Sequence, residues 1–189
     1  MEALGKAKRD LLVERVAAAR AGQQEAKQEF QSALAKFSAV TAFQGGDLQA
    51  KYEELKAALA RCESRAAAVK KQVAQAEEVA GDLFKEWEGE LGQYTNDDLR
   101  LSSEVKLRDT QKRYAECLRV MKRAEHKMQP VLAALRDQVL YLKHNLNAQA
   151  VSSLRGTAES LGADVAALVA EMEAAIREAT AFIDTMGKV

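Results

Sequence analysis

The side chains with the most chemical potential are few and far apart. His126 and His144 lie eighteen residues apart in one apolar-periodic stretch, on the same helical face but about 27 Å apart along it, so they do not share a metal ion. Neither is preceded three residues earlier by Glu, and the Glu-x-x-His pairs of di-iron bundles and the H-E-x-x-H zinc motif are absent from the sequence. Cys62 and Cys117 form no C-x-x-C pair and read as small apolar residues at or near helix seams. There is no glycine-rich phosphate loop, nucleophile elbow or Cys-His arrangement. The expected chemistry is therefore non-enzymatic, without cofactor or metal.

Composition points the same way. In 189 residues there is one Pro and little aromatic content, and 28 Lys plus Arg balance 28 Asp plus Glu. Long helices with Ala-filled seams use such residues, and a net charge of zero supplies no field to steer the chain toward nucleic acid. No run of about 18 apolar residues suggests a membrane span, and the first ten residues lack the apolar stretch of a signal peptide. An export or lipid-anchoring signal is expected only from a segment upstream of Met1. With one, the location would be the bacterial envelope or periplasm; without one, the cytoplasm.

Apolar spacing defines the elements. From Leu12 through Val16, Ala19, Gln23, Ala26, Phe30, Ala33 and Phe37 to Val40, steps of four and three alternate as in a helix packed along a partner. Gly45 and Gly46 then permit a left-handed turn, and Asp47 suits the next N-cap. The second helix continues the rule from Tyr52 to Leu91. Residues whose numbers add to 92 meet across this hairpin: Phe37 with Leu55, Phe30 with Cys62, Val16 with Ala76. After a turn capped by Thr95 or Asn96, a third seam runs from Leu107 to Leu146 and a fourth from Val151 to Met186, pairing at sums of 296 or 297.

The fold class expected is all-α. It comprises two long antiparallel helical hairpins, about 6–92 and 97–187, packed as an elongated up-down-up-down four-helix bundle in a single domain, 1–189. Acid-rich residues 77–98 and base-rich residues 106–127 face each other if the second and third helices run antiparallel. Val13, Leu34, Val120, Val131, Leu140, Val169, Ile176 and Ile183 would fill the wider core. Pro130 would kink the third helix, while the fourth would run unbroken through Gly156 and Gly162.

Several residues carry two readings. Gln23 and Glu125, on seams, either fix register or form a buried polar site. Trp87 and Tyr94 either cover the end of the core or anchor at a membrane interface. The basic face of Arg119, Lys122, Arg123 and Lys127 is either salt-bridged or binds lipid headgroups or phosphates. The segment from Leu140 to Gln149 must reverse the chain without Gly or Pro, using a left-handed Asn and side-chain amides on free carbonyls. It lies beside the glycine turn, so Gly45, Gly46, Lys143, His144, Asn145 and Asn147 form a candidate interaction tip.

Four stretches carry a resemblance: K-R-D-L-L-V-E-R-V at 8–16, F-x-G-G-D-L at 43–48, L-F-K-E-W-E-x-E-L at 83–91, and P-V-L-A-A-L-R-D-Q-V-L-Y-L-K-H-N-L-N-A at 130–148. Over almost its whole length the chain resembles an uncharacterised bacterial family, a domain of unknown function with many exported or lipid-anchored members. The resemblance implies an envelope location and a helical, coiled-coil-like fold, and it supplies no catalytic residues. No Cys precedes Lys6, a departure from the lipoprotein pattern. The expected role is a structural or protein-interaction module with a protein partner. The alternative is a BAR-like membrane-remodelling scaffold, which a homo-oligomer would suit.

Overall fold

A computed structural model describes residues 2–187, with side chains from Ala7 onward. Five α-helices pack together, and no strand occurs among the described residues: α1 (Glu2–Thr41), α2 (Leu48–Leu91), α3 (Asp97–His144), α4 (Ala148–Ser153) and α5 (Arg155–Met186). Helix α1 lies against α2 and α5, and α3 lies against the same two helices.

The alternating spacing explains why these segments bury the faces they do. All nine α1 seam positions from Leu12 to Val40, including Gln23, are fully buried. They join seam residues of the other long helices in one continuous core. Phe30 and Phe37 of α1 share this core with the small Ala58, Cys62 and Ala66 of α2, a mix of bulky and slim side chains that fills the space between helices. Ion pairs fix the alignment. Lys36–Glu54 at 2.6 Å, Arg61–Glu29 at 2.9 Å and Arg65–Glu25 join α1 to α2, the residue numbers falling on one helix as they climb on the other. Lys122–Glu77 at 2.7 Å and Arg136–Glu63 at 2.5 Å do the same for α2 and α3. Between α3 and α5 the rung is Arg123–Glu171 at 2.6 Å.

Helix ends follow local chemistry. Asp47 accepts a hydrogen bond from the Ala50 N–H at 3.0 Å, and Asn96 rather than Thr95 caps α3 by accepting from Leu99 N–H at 3.0 Å. Asp97 and Asp98 then occupy the first turn of α3, where the helix dipole favours anions. Gly45 and Gly46 have φ of 147° and 101°, backbone that a side chain would strain.

Several expectations need correction. The fourth seam is not one helix: it breaks at Leu154, which has φ −90° and ψ 2°. Ser153 Oγ donates to Ala150 O at 2.6 Å, offering the backbone an alternative to continuing the helix, and Gly156 follows as a poor helix former. No non-glycine residue described has positive φ, so the second tip turn contains no left-handed Asn. Leu140 does not fill the core; it is 60% exposed. Glu125 is only half-buried, its neighbour Ala124 taking the core position. Helix α3 continues from Asp97 to His144 through Pro130, which is exposed.

Candidate functional site

Two regions hold the residues singled out from the sequence. The first is the end of the molecule carrying both hairpin turns. Arg155 Nε donates to Thr41 O at 3.4 Å, tying the start of α5 to the end of α1 and placing the turns side by side. Gly45 and Gly46 are exposed, with no heavy atom within 4 Å of where a Cβ would sit. In the second turn Asn145 Nδ2 donates to Tyr141 O at 2.9 Å, satisfying a carbonyl at the end of α3. Asn147 accepts from Ala150 N–H at 3.0 Å and so caps α4. Side-chain amides thus do what the sequence suggested, while backbone at negative φ does the turning.

Lys143 and His144 are exposed in the last turn of α3. Beside them stand Leu140 and Tyr141, 60% and 41% exposed. Its apolar side chain beside the seam suggested a core position for Leu140, although a residue one past buried Val139 falls about 100° round the helix.

The second region is the basic face, whose four cations all have carboxylate partners. Arg119 donates through Nε and Nη2 to the two Glu116 oxygens at 3.0 and 2.6 Å. Lys122 meets Glu77, and Arg123 and Lys127 both meet Glu171, at 2.6 and 3.0 Å. Hydrogen bonding from Lys127, with that from Arg123, holds the Glu171 carboxyl below the usual carboxylate range, although partial burial opposes this. Arg119 does the same to Glu116. The acidic stretch supplies only Glu77 here; α5 supplies the other cross-helix partner.

At the opposite end Trp87 Nε1 donates to Ser103 Oγ at 2.8 Å, and the Arg9 guanidinium lies 5.7 Å from its ring centroid. Trp87 is half-buried in these contacts, whereas Tyr94 is 41% exposed. Gln23 sits fully buried at mid-seam, its Nε2 donating to Met121 O at 3.5 Å and its Oε1 without a partner. Gly22 leaves room for the Gln72 amide, whose Oε1 would come 2.0 Å from any Cβ there.

Nucleophile chemistry finds little support. Cys62 and Cys117 are free and buried, and burial pushes both thiols up to about 12, keeping them protonated at neutral pH. Burial likewise raises Tyr114, whose ring packs edge-on against Phe84 and Phe182. No three His, Cys, Asp or Glu side chains cluster as a metal site would require among the described residues. No described helix is long and apolar enough to cross a membrane.

Residues 1–186 match the family described as Protein of unknown function (DUF2959), and the chain belongs to that family. No curated protein matches it.

Proposed function

We propose that this chain is a non-catalytic structural or protein-interaction module of the bacterial cell envelope, an up-down-up-down four-helix rod whose two-turn end receives a protein partner. The ring of helix neighbours and the antiparallel ion-pair rungs support the rod. At 1.5 Å per residue, a helix as long as the 44-residue α2 spans about 65 Å.

One observation carries the interaction reading: large apolar side chains, Leu140 and Tyr141, stand exposed beside Lys143 and His144. Exposed aromatic and aliphatic groups ringed by polar ones are what a binding hot spot requires. The basic face offers the membrane-scaffold alternative little, because its cations are already paired. The test is affinity capture with the intact chain against a Leu140→Ser, Tyr141→Ser, Lys143→Glu variant. Loss of a specific partner from the variant supports the tip; an unchanged partner set sinks it. Fractionation of cells expressing the natural protein tests the envelope location separately.

A further inference from the structure

The first turns of α3, at the end opposite the tip, carry another exposed apolar stretch. Leu101 and Val105 are each 60% exposed. They lie two turns and one turn, respectively, before Asp109 along the ridge that continues to Arg113. Arg113 Nη1 donates to Thr185 Oγ1 at 3.3 Å, and α5 closes just beyond, with the Gly187 N–H bonding Ile183 O at 3.0 Å. The ridge that borders α5 therefore runs on past the end of that helix.

We propose that this stretch docks a second copy of the same chain, α3 against α3, antiparallel about a two-fold axis. The occupant follows from the order of residues along the stripe. Asp98, Leu101, Val105 and Arg108, at steps of three, four and three, share one face and read acid, apolar, apolar, base. Turned end for end, that order complements itself: Leu101 meets Val105 of the second copy, and Asp98 meets its Arg108. A parallel mate would instead set Asp98 against Asp98 and Arg108 against Arg108. Asp98 is exposed, and the Arg108 side chain is 75% exposed, so both can reach across. Glu104 flanks the axis, opposite Ser102 of the second copy in this register, and Arg108 of its own chain already pairs with it. Arg108 then sits between two carboxylates.

A symmetric contact of this kind is isologous and closes at two subunits. Its two short apolar turns bury much less than the roughly 1,200 Å² of a stable interface, so the dimer is weak, with a dissociation constant on the order of 100 μM. Overlap at this end leaves the tips at the far ends of a longer rod. The inference does not depend on what the tips bind.

Sedimentation equilibrium of the full chain at low salt, up to about 1 mM, tests the proposal. The expected result is a monomer–dimer equilibrium, with scattering showing a dimer whose longest dimension exceeds the monomer's by more than half. Asp98→Arg and Arg108→Asp, applied separately, are each expected to weaken self-association at least about tenfold. An equimolar mixture of the two variants is expected to recover dimer, because each reversed charge then meets its opposite. Leu101→Ser, which leaves the charges untouched, is expected to weaken the dimer as well. All three positions are exposed, and circular dichroism verifies that the helices persist. A monomer at every concentration, a dimer of unchanged length, or a mixture no more associated than its components overturns the proposal.

Discussion

Two chain reversals lie side by side at the tip, and they are built from different chemistry. Between α1 and α2 the chain turns through Gly45 and Gly46 at φ of 147° and 101°, and Asp47 then caps α2. Between α3 and α5 every described non-glycine residue keeps negative φ. There the reversal depends on Asn145 bonding Tyr141 O, Asn147 capping α4, and a second break at Leu154. Both turns end on a capping side chain, but the first reverses through glycine backbone freedom and the second adds the Asn145 amide and a helix break. A turn of the second kind spreads its stabilisation along the helix before it, the helix that also displays Leu140 and Tyr141. That coupling separates a turn closed by its own backbone from one that shares its hydrogen bonds with a helix.

The strongest way to break the comparison is to hollow out the core behind each turn. Phe37→Ala, at a fully buried position, is expected to cost about 3–5 kcal/mol, and Leu142→Ala, equally buried, about 2–5 kcal/mol, both read from urea unfolding. The difference should lie in the coupling. Asn145 Nδ2 bonds Tyr141 O at 2.9 Å, at the residue next to buried Leu142, so Leu142→Ala and Asn145→Ala are expected to depart from additivity by more than about 0.5 kcal/mol. Phe37→Ala and Gly46→Ala should add. Equal coupling at both turns would erase the distinction.

Smaller effects should separate the turns themselves. Gly46→Ala places a Cβ on strained backbone at φ 101°, an expected loss of about 1–3 kcal/mol although the space around it is open. Asn147→Ala removes a cap, for about 1 kcal/mol. Amide exchange in α4 should quicken after the second substitution and stay unchanged after the first. Faster α4 exchange in Gly46→Ala would mean that the two turns form one unit.

What the sequence makes legible follows the same division. Seam positions from Leu12 to Val40 are all buried, because a repeat of four and three constrains a helix face by itself. Asp47 and Asn96 cap as expected, because a cap is a bond to a backbone N–H three residues on. Leu140 misleads because hydrophobicity records what a residue tolerates, whereas exposure depends on helix rotation. The break at Leu154 rests on a hydroxyl choosing Ala150 O and on Arg155 reaching Thr41 O, a contact between residues 114 apart in sequence. The pairing of Arg123 and Lys127 with Glu171 is equally non-local. The tip residues were legible as neighbours through hairpin register, but the exposure of the adjoining Leu140–Tyr141 pair was not.

Ion pairing extends the contrast from the turns to the hairpins, and pH tests it. Across α1 and α2 Glu54 meets one cation, Lys36, in an exposed pair; across α3 and α5 Glu171, its side chain 18% exposed, meets two. Hydrogen bonds from these cations depress both carboxyls, from Lys36 at Glu54 and chiefly from Lys127 at Glu171. A depressed carboxyl contributes stability that is present above its unfolded-state value and lost as pH falls through the folded one. Glu171→Gln is therefore expected to flatten the loss of stability on the acid side, measured by urea midpoints through the carboxylate range. Glu54→Gln should flatten it less, since water and salt screen its single exposed pair. The order should hold at low salt and shrink at high salt. If Glu54→Gln has the larger effect, the second hairpin is not the more tightly clamped of the two.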